Sequence, residues 1–257
     1  MQKKCFGIIG VVIVFILCCF SPIVANAYDQ TDKILSKVQG QWYDEKGNVV
    51  LDFEGRYLNG CPVVGVYNPT GGGADFTCVL RVIEAGGYRD IYALCLNQQE
   101  GNYHSRIILG WDSKVKGKGT LLLKSTHPLY AETVGGIGLD MLDKEVLEKY
   151  GKPDTTFPGI NRNSNLDHEV WRYEKIGLEL VMSYHRVWKI RILKNGDRRF
   201  DRTGFNCANA PYEYQGAYGF KRAPQAGPNF GASAVGHGEY MWFTWYPQCI
   251  ELSTFWN

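Results

Sequence analysis

The sequence predicts an α+β protein in three parts. An N-terminal antiparallel β-meander or small barrel is followed by a helix with a three-stranded antiparallel sheet, and an aromatic C-terminal tail packs back onto them. Three observations predict this. Short β-prone runs alternate with Gly-containing turns from residue 48 to 125. The hydrophobic period then changes from helical to alternating between residues 139 and 193. Residues 200–257 are dense in Phe, Trp and Tyr, so that segment must either pack or bind. The corresponding boundaries are 1–27 for a leader, 28–133, 134–195 and 196–257.

The leader has the features of an export signal. Lys3 and Lys4 precede an apolar stretch over residues 6–20, and Ala25-Asn26-Ala27 is the small-x-small pattern that a signal peptidase cleaves. A retained anchor is the alternative, because the apolar stretch approaches the roughly 20 residues that span a bilayer. Export places the protein in the cell envelope, periplasm or external medium. The chain holds 28 Lys and Arg against 26 Asp and Glu, and two of the lysines leave with the leader. The exported protein is therefore charge-balanced, which argues against nucleic acid as a partner. At 45% hydrophobic residues and 30 glycines, the composition is that of a folded, turn-rich protein.

Cys5, Cys18 and Cys19 also leave, so Cys61, Cys78, Cys95, Cys207 and Cys249 remain. None forms a Cys-x-x-Cys pair. Residues 76–84 and 88–95 read as a hairpin. If Gly86-Gly87 is its two-residue loop, Cys78 faces Cys95, Val82 faces Ile91, and Glu84 faces Arg89. The cysteines then occupy a non-hydrogen-bonded site compatible with a disulfide. Two buried thiols on neighbouring strands are the alternative. Cys207 with Cys249 is a second candidate pair, and Cys61 is left over.

A short helix is expected over residues 31–38, leading into Gly40-Gln41-Trp42-Tyr43. Strands are expected over 48–53, 62–67, 104–111 and 120–125 in addition to the hairpin. Gly-x-Trp-Tyr after a short helix resembles the opening of a lipocalin-like barrel, and implies a small apolar ligand; the plainer role for Trp42 is to plug one end of a β core. Farther on, Leu139, Leu142, Val146 and Tyr150 recur at helical spacing, Asp140 offers an N-cap, and Gly151 with Pro153 ends the helix. Strands follow at 168–173, 178–183 and 187–193. Trp171, Tyr173, Leu178, Leu180, Met182, Trp188, Ile190 and Ile192 alternate onto one face, and Arg172, Glu179, Lys189 and Arg191 onto the other.

Residues 137–153, with Met141, Glu145-Val146 and Gly151-Lys152-Pro153 at the expected spacing, and the strands beginning at Trp171 and Gly177, resemble the SmpA/OmlA/BamE-like module of bacterial envelope proteins. Asp140 and Leu142 depart from the Gly-Met-Ser/Thr pattern of that family. The resemblance implies a protein-binding role in the envelope, and a related tandem architecture implies an enzyme inhibitor as an alternative.

Basic residues cluster between 186 and 202. Arg186, Lys189, Arg191, Arg198 and Arg199, with Tyr240, Trp242 and Trp245 of the tail, form the candidate interaction surface for an acidic partner or anionic lipid; a solvated strand face is the alternative. Residues 240–246 are apolar on both alternating faces, as in a strand buried between layers. Residues 222–238 read as a long loop.

No motif supplies a nucleophile with its base, a phosphate loop or a dinucleotide fingerprint. His168 on a strand points away from Asp167 and Glu169, and His237-Gly238-Glu239 is the one local sequence with metal-ligand character. The sequence thus predicts a non-enzymatic protein without a cofactor. Its expected partner is a protein of the cell envelope, with a lipocalin-like carrier as the second class. A carrier requires an apolar barrel cavity; an adaptor requires a filled barrel and an exposed patch.

Overall fold

Short hairpins close the first half of the chain into an eight-stranded barrel. In the computed structural model, which describes residues 30–110, 119–159, 168–225, 232–245 and 248–254, the barrel strands are β1 (Gly40–Tyr43), β2 (Val49–Glu54), β3 (Tyr57–Leu58), β4 (Cys61–Gly72), β5 (Asp75–Glu84), β6 (Gly87–Leu96), β7 (Arg106–Leu109) and β8 (Thr120–Leu123). Each pairs antiparallel with the next, and Tyr43 opposite Leu123 joins β1 to β8. Closure removes the exposed edges that an open meander would leave. The expected leader, residues 1–27, lies outside the described residues.

Side chains from the barrel strands pack into one buried apolar core. Leu51, Phe53, Leu58, Phe76, Leu80, Ile107 and Leu122 form one buried cluster with Ile34, Leu35 and Val38 from the helical segment that precedes β1. Trp42 has no exposed surface; its indole N–H donates to the Val38 carbonyl at 2.7 Å, and the Lys124 ammonium lies 4.8 Å from its ring centre. The indole thus ties the helical segment to the barrel core.

The second half is one seven-stranded antiparallel sheet in the order β13-β14-β15-β12-β11-β10-β9. Its strands are β9 (Thr155–Pro158), β10 (Glu169–Tyr173), β11 (Leu178–Ser183), β12 (Arg186–Leu193), β13 (Ser233–Gly236), β14 (Glu239–Trp245) and β15 (Gln248–Thr254). The tail therefore extends the predicted three strands: β15 pairs with β12, and β14 is a central strand between β13 and β15. Helices α1 (Asp143–Tyr150) and α2 (Pro211–Tyr218) supply Val146 and Tyr214 to the core cluster that contains Leu180, Ile190, Met241 and Leu252.

Several expectations change. Asp140 does not cap α1: Leu142 occupies the N-cap position, the Glu145 carboxylate accepts its backbone N–H at 2.8 Å, and Asp140 is buried with φ 65°. Trp188 leaves the predicted core face because β12 bulges opposite Met182; Val187 fills the core, while Trp188 packs with Leu96 and Ile108 of the barrel. The long loop expected over 222–238 contains β13.

The β5–β6 hairpin is offset by two residues from the predicted register. Its loop is Ala85-Gly86, with Glu84 paired to Gly87, whose φ is 128°. Cys78 consequently faces Ala93, and Cys95 faces Phe76. An offset of two preserves which side chains point inward, so both cysteines are buried in the barrel core, but as diagonal neighbours. The opposed-pair geometry behind the expected bridge is absent. Cys61, Cys78, Cys95, Cys207 and Cys249 all stand as free thiols. The Cys207 thiol donates to the Ile192 carbonyl at 3.2 Å and the Cys249 sulfur meets the Thr244 hydroxyl at 3.0 Å.

Candidate functional site

The predicted basic surface divides into separate local contacts. Lys189 and Arg191 belong to an ion-pair ladder that crosses four adjacent strands. Arg172 on β10 contacts Glu179 on β11 at 2.6 Å, and Glu179 contacts Arg191 on β12 at 2.7 Å. Arg191 then meets Glu251 on β15 at 2.7 Å, and Lys189 reaches the same carboxylate at 3.2 Å. Strand register places Arg172, Glu179, Arg191 and Glu251 directly opposite one another in sequence, so the charges alternate across the sheet. Burial opposes the charge on Arg191, yet Glu251 and Glu179 raise its pKa further. Burial likewise opposes ionisation of Glu251, and Lys189 and Arg191 reverse that effect.

The other predicted basic residues do not join this ladder. Arg198 lies 3.6 Å from Asp197 and over the Tyr150 ring, and Arg199 donates to the Gly204 carbonyl. Arg186 donates to the Asp140 carbonyl at 2.7 Å. Trp242 and Tyr240 are half-buried, and the Trp242 indole donates to the Ser253 hydroxyl; the Trp245 side chain lies outside the described residues. Of the expected basic surface, Lys189 and Arg191 are therefore neutralised within the sheet face, while Arg186, Arg198 and Arg199 make separate contacts outside that ladder. Of the local sequence 237–239, Glu239 turns inward with no exposed surface and participates in a different arrangement.

That arrangement joins the barrel to the sheet. His104, between β6 and β7, has its Nδ1 2.8 Å from Asp140 and its Nε2 3.2 Å from Glu239. A doubly protonated ring can donate from both nitrogens. Burial opposes this charge, but the hydrogen bonds and fields of Asp140 and Glu239 outweigh it and raise the imidazole above its usual 6.5. Arg106 on β7 contacts the other Asp140 oxygen through Nε at 2.9 Å and Nη2 at 2.5 Å, while its Nη1 donates to the Thr254 hydroxyl at 2.8 Å. Its guanidinium lies 4.3 Å from the Trp188 ring centre. Burial alone would raise the Asp140 pKa, yet Arg106 and His104 hold it at about 2. Glu239 also accepts the backbone N–H groups of Ala131 and Glu132, both at 3.1 Å.

His104 and Glu239 expose no surface, and Arg106 exposes 1%. These groups set two basic side chains against two carboxylates away from solvent, an arrangement suited to fixing the two sheets together. Sequence reading missed it because the partners lie far apart along the chain. A local signal existed: Arg106 interrupts an otherwise apolar strand, and Asp140 stands between Leu139 and Met141.

The accessible candidate face lies instead on the outside of the barrel, over β4, β5 and β6. Tyr88 is 71% exposed, Tyr92 47% and Tyr67 43%. Arg81 makes a two-pronged pair with Asp90, both bonds at 2.8 Å, and its guanidinium lies 4.8 Å from the Tyr67 ring centre and 5.9 Å from that of Tyr88. Gly65 permits this packing, because a Cβ there would approach the Tyr67 hydroxyl to 2.9 Å. Pairing then sets Tyr67, Val79 and Tyr92 in one cross-strand row. The result is an exposed aromatic surface whose side chains are held by strands and by a central arginine.

No helix among the described residues is long and apolar enough to cross a membrane. The chain matches no protein-family model, no curated protein and no solved structure, so its functional reading rests on the residues and geometry themselves.

Proposed function

We propose that this is an exported, non-catalytic binding protein of the cell envelope, which holds a protein partner against the outer face of β4–β6. The observation that carries this reading is the contrast between a barrel occupied by its own side chains and an exposed Tyr67–Arg81–Tyr88–Tyr92 surface. Tyrosines on a rigid scaffold provide large contact area with little side-chain entropy to lose, and arginine supplies orientation. The filled interior favours this adaptor role over the lipocalin-like carrier. The resemblance of residues 137–153 to the SmpA/OmlA/BamE-like module supports the envelope setting and a helix-plus-sheet binding scaffold.

The test is site-specific photocrosslinking in intact cells, with the crosslinker placed at Tyr88 or Tyr92 and, as a control, at exposed Tyr212. The expected result is one discrete protein adduct from the barrel positions that is absent from Tyr212, and lost when Tyr67 and the remaining barrel tyrosine are changed to Ala. Equal, diffuse labelling from all positions, with a lipid recovered from the extracted protein, would replace this reading with the carrier.

A further inference from the structure

A cleft of about 570 Å³ opens where the barrel rim meets the segment leading into α1, lined by Glu45, Tyr130, Met141, Leu142, Glu145 and Arg186 among others. Its polar groups are incompletely engaged. Arg186 donates one hydrogen bond, to the Asp140 carbonyl, and belongs to no ion pair among the described residues. The Tyr130 hydroxyl has no hydrogen-bond partner among the described residues, although its ring is fixed: a Cβ on Gly138 would strike it, and the His104 ring lies 6.1 Å away. Burial, followed by the fields of Asp140 and Glu145, raises the Tyr130 pKa to about 12, so the hydroxyl remains a donor at neutral pH.

The acidic side chains are also available. Glu145 uses one carboxylate oxygen to accept the Leu142 N–H, leaving the other uncommitted, and Glu45 is exposed. The fields of Glu145 and Glu45 reach Arg186, but neither carboxylate closes onto it as an ion pair. With Asp44, Lys46 and His127 also on its wall, the cleft presents Arg186, which belongs to no ion pair among the described residues, and a hydroxyl donor beside two carboxylates with spare acceptor capacity. A ligand carrying only an anion would satisfy Arg186 while meeting those carboxylates, and one carrying only a cation would leave Arg186 unanswered. A molecule carrying both charges can satisfy both sets.

We propose that this cleft binds a small zwitterion of the α-amino-acid class with an apolar side chain, its carboxylate on Arg186 and Tyr130 and its ammonium on Glu145 and Glu45. Met141 and Leu142 supply the apolar wall. This site is separate from the tyrosine face of the barrel, and its occupancy does not depend on the protein-partner reading.

Calorimetric titration of the exported chain provides the test, with L-leucine, 4-methylpentanoate and isopentylamine as probes. The last two retain the carbon skeleton but lack the ammonium and the carboxylate, respectively. Leucine should bind saturably, and each half-charged probe should bind more weakly by about tenfold or more, as expected for losing a charge-assisted contact. Tyr130→Phe keeps the ring and should weaken leucine and 4-methylpentanoate while sparing isopentylamine. Glu45→Gln, in an exposed turn, should weaken leucine and isopentylamine while sparing 4-methylpentanoate. Absence of saturable leucine binding would overturn the proposal. So would equal affinity for leucine and 4-methylpentanoate, which would mean a plain anion site, or leucine binding unchanged in both variants.

Discussion

The barrel and the sheet solve the burial of charge in opposite ways. On the outer face of the barrel, charge stays in solvent: Arg81 and Asp90 meet in water, with side-chain exposures of 40% and 33%. In the sheet and its junction with the barrel, charge is taken inward and neutralised on site, with Glu179 at 3% and both Arg106 and Asp140 at 1%. The two regions also differ in how distant the contacting residues are. Barrel strands pair with their sequence neighbours apart from the closing β1–β8 contact, whereas β15 crosses back to lie beside β12. The comparison shows that similar arginine–carboxylate distances have different energetic meanings, because solvent screens the exposed pair and is excluded from the buried one.

The strongest break in this comparison is Asp140→Ala. It leaves Arg106 and His104 buried without their shared carboxylate, and the expected loss is about 3–5 kcal/mol in chemical denaturation. The same junction predicts a pH dependence. Asp140 contributes stability above its unfolded pKa near 3.8, and that contribution is lost as pH falls toward about 2. His104 has a raised folded pKa, so its contribution is complete below about 6.5 and lost as pH rises through the folded value. Denaturation midpoints measured across pH should therefore show the wild-type advantage over His104→Gln shrinking on the alkaline side; an advantage constant from neutral to alkaline pH would mean that the imidazolium does not stabilise the junction.

A smaller loss is expected from Glu179→Ala, about 2–3 kcal/mol, because its partners Arg172 and Arg191 keep partial access to water. Trp42→Phe tests the barrel core. It retains an aromatic ring but removes the donor to the Val38 carbonyl, with an expected cost of about 1 kcal/mol in the same assay. At the bottom of the scale, Arg81→Gln should leave the denaturation midpoint within measurement error, because the pair it breaks is solvated. A loss comparable to that of Glu179→Ala would erase the distinction between the two regions.

Most of the barrel strands were legible because alternation and glycine-marked turns are local. The hairpin register was less so: moving the loop from Gly86-Gly87 to Ala85-Gly86 keeps every side chain on its expected face while changing each cross-strand partner. Cys78 and Cys95 could therefore be placed inside correctly but opposite the wrong residues. The basic stripe was only partly legible for a related reason. Counting charges along residues 186–202 omits Glu179 and Glu251, which only the neighbouring strands bring to Lys189 and Arg191. The tyrosine face was also missed, since Tyr67, Tyr88 and Tyr92 lie on separate strands and acquire a common surface only when the ribbon forms.

By itself the sequence determined where most of the turns fall, which side chains in β10 and β11 face inward, and that the chain carries nearly balanced charge. These follow from backbone permissiveness, side-chain alternation and composition, all of which act over a few residues or over none in particular. Tertiary structure alone decided that Asp140 serves Arg106 and His104 instead of capping a helix, that the tail completes the sheet, and which tyrosines share the accessible face. Those outcomes depend on groups distant in sequence meeting where water is excluded, and desolvation has no one-dimensional signature until the fold brings them together.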